Sequence, residues 1–266
     1  MLVCNLASGS TGNSSYIETS KYKILIDLGR NKKYIVEKLE SIGVDYKDID
    51  YIFITHTHDD HISALKTFTK GLKATLVITK VMEKELSSMG LLENVNYMTY
   101  EDSPIIDGLQ IKSFKMSHDT GDIRSFVIED KLVYITDTGY INTKYLKEFK
   151  NKVAYYIECN HDIEMLTHGP YPEWLKARVL SDVGHLSNKF CGMYLSKMIG
   201  DNTKYITLLH LSEKNNCEEV ALNTVSEILE DKLDNIKMVC AKPNECGEVI
   251  KLWLELLHLE KLKKNI

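Results

Sequence analysis

The run Thr55-His56-Thr57-His58-Asp59-Asp60-His61 gathers three imidazoles and two carboxylates in one short stretch. It follows the apolar, β-branched segment Tyr51–Ile54 and precedes a helical pattern, so these side chains collect where a strand ends. In α/β proteins ligand sites form at such strand ends. His56 and His58 stand two apart and, on extended backbone, point to one side, whereas the adjacent Asp60 and His61 point to a neighbouring position. One loop can thereby feed two metal ions. Imidazole and carboxylate ligands without thiolate suit Zn, Mn or Fe in the divalent state, and two such ions about 4 Å apart clamp and activate one water. The chemistry implied is hydrolysis.

Two coordination shells need more ligands, and later strands offer them at their ends: His118 after IKSFKMS, Asp137 after KLVYIT and His210 after YITLL. Any one of them could cap a loop instead. As a set they complete a site.

The elements that must position these residues alternate. Strand-like SSYIETS, KYKILIDLG, DYIFITHTH and ATLVIT interleave with helical NKKYIVEKLESIG and ISALKTFTKG. The stretch from Asn31 to Gly43 predicts a helix capped by Asn31, with Tyr34, Ile35, Leu39 and Ile42 on one face and Gly43 at its stop. VNYMTY, LQIKSFKM, SFVIED and KLVYIT read as strands, after which helical INTKYLKEFKN, strand VAYYIECN, a polar helical stretch, strand KYITLLHLS and helix EEVALNTVSEILED restore the alternation. No Gly-, Pro- or Ser-rich linker, low-complexity run or short repeat divides the chain, so residues 1–266 are read as a single layered α/β domain. The final VIKLWLELLHLEKLKKN reads as an apolar helix packing on its body.

With 266 residues, 44% of them hydrophobic, the chain can bury a sizeable core. A net charge of -5 argues against capture of nucleic acid by the whole surface and leaves any polyanion to local features. The six cysteines are scattered without a CxxC pair and read as reduced structural thiols. No run approaches the length of a membrane span, and MLVCNLASGS lacks the regions of a signal peptide, so a cytoplasmic protein with no membrane partner is expected.

His56, His58, Asp60 and His61 match H-x-H-x-D-H in full, and the whole ligand series in this order resembles the metallo-β-lactamase superfamily, across essentially the whole chain. The resemblance implies a four-layer αββα sandwich. It assigns His56, His58 and His118 to a first metal and Asp60, His61 and His210 to a second, with Asp137 bridging and Asp27 supporting the site from behind. LASGSTGNSSYIE, ITDTGY, ECNHD, GHLSN and LLHLSEKNN further resemble the YycJ/WalJ-like group, bacterial cytoplasmic enzymes regarded as DNA exonucleases acting from 5′ ends. That implies a nucleic-acid substrate, DNA rather than RNA.

Several polar residues then become candidates for phosphate contact: Ser8, Ser10 and Asn13 in the turn SGSTGN, and His185, Ser187 and Asn188 in GHLSN. A plain hairpin turn explains the first group equally well. Asp60 and His185 are the candidate catalytic residues, His185 stabilising charge or protonating the leaving oxygen. His161 is a candidate supporting residue, while Tyr171 and Trp174 either stack bases or pack a loop. The interval from Asp137 to His210 is too short for the extra domain of related RNA-processing and repair nucleases, and a flavodiiron-type protein would carry Glu in place of His58. Alternatives are a hydrolase of small esters, thioesters or lactams, and a non-catalytic metal-containing module that binds nucleic acid.

Overall fold

The computed structural model describes residues 1–252. Its first half contains strands β1 (Leu2–Ala7), β2 (Ser14–Glu18), β3 (Lys23–Ile26), β4 (Tyr51–Phe53), β5 (Thr75–Thr79) and β6 (Tyr97–Tyr100). Strands β7 (Ile111–Lys115), β8 (Arg124–Ile128), β9 (Leu132–Ile135), β10 (Ala154–Glu158), β11 (Tyr205–Leu209), β12 (Lys237–Cys240) and β13 (Ile250–Lys251) follow. They form two sheets, ordered β13-β1-β2-β3-β4-β5-β6 and β12-β11-β10-β9-β8-β7. Helices α1 (Lys32–Ser41), α2 (Asp59–Ile62), α3 (Leu65–Thr69) and α4 (Lys80–Ser88) belong to the first half. The second carries α5 (Leu146–Phe149), α6 (Ile163–His168), α7 (Glu173–Val179), α8 (Asn188–Met198) and α9 (Glu218–Leu229).

Period-two alternation sorts the apolar side chains into layers. Ile24, Ile26, Phe53 and Val77 of the first sheet pack against Phe126, Leu132, Tyr134 and Tyr156 of the second, forming one core between the sheets. Their neighbours face outward. Leu25, Ile52, Leu76 and Ile78 pack under Ile35 and Leu39 of α1, Leu65 and Phe68 of α3, and Met82 and Leu86 of α4. On the opposite side Val133, Ile135, Tyr155, Ile157, Ile206 and Leu208 pack under Leu195 of α8 and Ala221, Val225 and Leu229 of α9. Helix, sheet, sheet, helix is the four-layer arrangement of the metallo-β-lactamase fold.

The Asn31 carboxamide caps α1 as expected, accepting from Tyr34 N–H, and Gly43 beyond its end has φ +78°. KVMEKELSS, to which no element was assigned from sequence, forms α4, capped by Thr79 Oγ1 accepting from Met82 N–H. Most of the expected C-terminal helix lies outside the described residues. Ile250 and Lys251, placed within it, instead pair with β1 in the register Val3↔Ile250 and Leu2↔Lys251. Among the described residues no helix is long and apolar enough to cross a membrane.

Strands β3 to β6 run parallel, as do β9 to β12. The carboxyl ends of β3, β4, β9, β10 and β11 are therefore where a shared site can be built.

Leu25 is wholly buried under α1, whereas Ile105 is 92% exposed. Leu25→Ala should lower the unfolding free energy by about 2–5 kcal/mol and Ile105→Ala by no more than about 0.5 kcal/mol. Urea denaturation measures both, and equal effects would contradict this layering.

Candidate metal centre

His56 and His58 stand in the loop leaving β4, while Asp60 and His61 open α2 in its first turn. The ring nitrogens of His56 Nε2 and His58 Nδ1 lie 3.1 Å apart, and His118, entering from the loop after β7, closes a triangle whose ligand atoms all fall within 4.8 Å of one another. The second group meets beside it. His61 Nε2 lies 3.5 Å from Asp60 Oδ2 and 3.2 Å from Asp137 Oδ2, and His210 Nε2 lies 3.7 Å from Asp60 Oδ2. Asp137 stands between the groups, with its other oxygen 3.0 Å from His210 Nδ1. All seven expected ligand residues converge.

Three of the strand-end residues bend sharply to get there. Asp27, Asp137 and His210 have φ of +62°, +52° and +57°. Left-handed backbone at a residue with a side chain costs about 1–3 kcal/mol, so the surrounding contacts must hold each one. Asp27 accepts from Thr55 N–H and Thr55 Oγ1, both at 2.8 Å, and faces His61 Nδ1 at 2.7 Å. His210 is fixed through its own backbone, its N–H donating to Ser8 Oγ at 2.7 Å and its carbonyl accepting from Asn160 Nδ2 at 2.8 Å.

Burial and charge set the protonation states. Burial pushes the imidazoliums of His56 and His118 down, leaving neutral rings with lone pairs to offer. For Asp137 burial favours the neutral acid, but His210 and His61 hold the carboxyl well below its ordinary range. Asp60 follows the same logic, burial opposing ionisation while His61 and His210 favour it. Among the described residues, Asp27, Asp60, Asp137 and Glu158 have only histidines as ion-pair partners, with no lysine or arginine. His210 Nε2 is buried without a hydrogen-bond partner. Converging lone pairs and buried carboxylates lacking a fixed cation suit a divalent metal ion.

Glu158 is the residue that sequence reasoning missed. It closes β10 wholly buried, accepts from Thr138 N–H and Leu186 N–H, and its Oε1 faces His185 Nδ1 at 2.7 Å and His210 Nδ1 at 3.0 Å. Burial raises a carboxyl, yet His185 and His210 hold this one down to about 2. The available signal was a lone acid ending the apolar run AYYIE.

Other expectations need correction. Ser8, Asn13 and Asn188 were candidates for substrate contact, but all three are buried and committed to the framework. Ser8 holds His210, as above. Asn13 Nδ2 donates to Asp60 Oδ2 at 3.1 Å, and its Oδ1 accepts from Gly9 N–H. Asn188 Oδ1 accepts from Cys159 Sγ and Asn216 Nδ2. Ser187 is the buried cap of α8, accepting from Phe190 N–H, whereas Ser10 is exposed on its turn. His161, expected to support the ligands, makes no hydrogen bond to any of them; among the described residues neither of its ring nitrogens has a partner. Trp174 is 69% exposed on α7, so it does not pack a loop.

Backbone proximity fixes the loop that carries Asp60. A Cβ added to Gly29 would lie 1.6 Å from the Asp60 carbonyl oxygen and 2.5 Å from Asn13 N. Gly29→Ala should therefore cost about 1–3 kcal/mol of stability and weaken Mn²⁺ binding. Thermal melts and calorimetric titration test this; unchanged values for both would mean that the close approach does not constrain the loop.

Residues 7–89 match the family model described as the metallo-beta-lactamase superfamily. The chain is 35% identical over 236 residues to "Exodeoxyribonuclease YycJ" of Bacillus anthracis, covering 85% of this chain and 88% of that protein. It is 38% identical over 234 residues to "Exodeoxyribonuclease WalJ" of Streptococcus pneumoniae serotype 2 (strain D39 / NCTC 7466), covering 83% and 85%. Among solved structures, the metallo-beta-lactamase fold protein YhfI from Bacillus subtilis superposes with a TM-score of 0.69 at 13% identity, covering 92% of this chain and 98% of that one. Sequence, layer order and the converged histidines and aspartates agree, and the chain belongs to the YycJ/WalJ-like group of the metallo-β-lactamase superfamily.

Proposed function

We propose that this chain is a metal-dependent exonuclease that hydrolyses phosphodiesters of DNA from a 5′ end in the cytoplasm. The observation that carries this reading is the joined ligand cluster, gathered at strand ends of both sheets, in a chain whose relatives over most of its length are named exodeoxyribonucleases. His56, His58 and His118 would hold one divalent ion, and Asp60, His61 and His210 a second, with Asp137 shared. Zinc or manganese suits the donor set, and iron is compatible with it. Bound there, the ions supply positive charge against the attacked phosphate and acidify a water.

The chain's own groups divide the remaining work. Asp60 stays ionised and is aimed by the Asn13 amide, so its carboxylate can accept a hydrogen bond from the attacking water and orient it. His185 directs Nδ1 at Glu158 Oε1, which fixes the ring and leaves Nε2 to donate to the departing oxygen. A mostly buried imidazole that still reaches solvent, backed by a buried carboxylate, is suited to that task.

Asp137→Asn removes the charge between the two ligand groups and should cut cleavage of 5′-phosphorylated duplex DNA with Mn²⁺ by at least about 100-fold. Equal, metal-independent activity of both proteins would refute the proposal, and thioester turnover exceeding DNA cleavage would favour a small-ester hydrolase. His185→Ala should lower kcat by about 10²–10⁴-fold with Mn²⁺ affinity retained; loss of that affinity would make His185 a ligand instead.

A further inference from the structure

Beside the metal centre lies a cavity of about 260 Å³ that shares only His185 with the proposed chemistry. His161 lines it while only 1% exposed, and neither Nδ1 nor Nε2 has a partner among the described residues. Burying both polar atoms of an imidazole unsatisfied costs free energy that a packed core would avoid. A ligand in the cavity that hydrogen-bonds to one of these nitrogens removes part of that cost.

The rest of the lining says what that ligand is. Phe190 and Tyr194 stand four apart on α8 and so share a face, and Tyr140 joins them from the loop after Asp137. Phe190 is 48% and Tyr140 40% exposed, far more than aromatic rings in a settled core. No lysine or arginine is among the described residues that line the cavity, and Asp182 adds a carboxylate, so an anion is disfavoured. Burial also lowers the His161 pKa to about 4, keeping the ring neutral near pH 7, with one N–H and one lone pair. Flat aromatic faces joined to a neutral donor–acceptor ring match a nucleobase. His185 lines the same cavity, which connects it to the reacting phosphate.

We infer that His161, with Phe190, Tyr194 and Tyr140, forms a subsite for the base of the terminal nucleotide, adjoining the metal centre on the His185 side. The inference rests on the nuclease reading for the identity of its ligand.

Two measurements separate the subsite from the nuclease reading. In the first, Mn²⁺-loaded protein acts on 5′-phosphorylated DNA whose first nucleotide carries either a normal base or an abasic tetrahydrofuran. Wild type should release the normal nucleotide at least about tenfold faster, the scale of base stacking on an aromatic ring, and Phe190→Ala should erase most of that preference. Equal rates for both substrates would overturn the subsite. In the second, histidine ¹⁵N signals of the Zn²⁺-loaded protein are followed during titration, with His161→Gln providing the assignment. A deoxynucleoside 5′-monophosphate should shift His161 and deoxyribose 5-phosphate should not. A shift with inorganic phosphate alone would make the cavity an anion site, and no shift with the nucleotide would remove the subsite. If DNA is left uncut while the nucleotide moves His161, the subsite stands and the nuclease reading falls. If DNA is cut with neither base preference nor shift, the reverse holds.

Discussion

A carboxylate with no access to water anchors the site. Asp27 ends β3, takes both donors of Thr55 and faces His61 Nδ1, so one side chain ties the first sheet to the loop after β4 and to the first turn of α2. Removing it would leave a buried imidazole nitrogen without its partner and a left-handed residue without its restraint. The same device recurs in the second sheet, where Glu158 takes two backbone N–H groups and faces His185 and His210. Each half of the chain thus supplies a buried acid that orients imidazoles through their Nδ1 atoms, and His61 and His210 turn Nε2 toward Asp60.

That division explains how the layers serve the chemistry. The first sheet delivers His56, His58, Asp60 and His61 from one loop, and the second delivers His118, Asp137 and His210 from three separate strand ends. Packing between the sheets sets Phe126 against Phe53 and places Ile26, Phe53 and Tyr134, each one to three positions before a site residue, in one core. The apolar core therefore sets the spacing of the charged groups, and the charged groups could not be buried without it.

Much of this was legible in the sequence. The ligand residues, the cap at Asn31 and most strands of both sheets follow from residue type, spacing and periodicity, because strand ends and helix caps are local properties, whereas β12 and β13 are defined by their pairing with β11 and β1. Glu158 was passed over because one acid at the end of one strand looks like any strand terminus, and its partners His185 and His210 lie far along the chain. Ser8 and Asn13 read as phosphate contacts because they lie in a polar, Gly-bearing turn, and Asn188 because it lies near a helix start. Whether a hydroxyl or an amide faces solvent or the framework depends on packing that no local pattern encodes. For His161 sequence showed a histidine near a site; only the fold reveals that its nitrogens are orphaned in a cavity.

The hydrogen bond from His210 N–H to Ser8 Oγ spans 202 positions, and β1 is edged by β13. During synthesis from the amino terminus, β1 emerges long before the strand that covers its edge. The loop bearing His56 to His61 likewise waits for His210, which follows 149 positions after His61. A ribosome-bound nascent chain therefore carries an incomplete ligand cluster through most of its elongation, and any metal it meets finds only part of the cage. Assembly of the centre is postponed until the second sheet has docked, so competence arises with the finished fold and not before it.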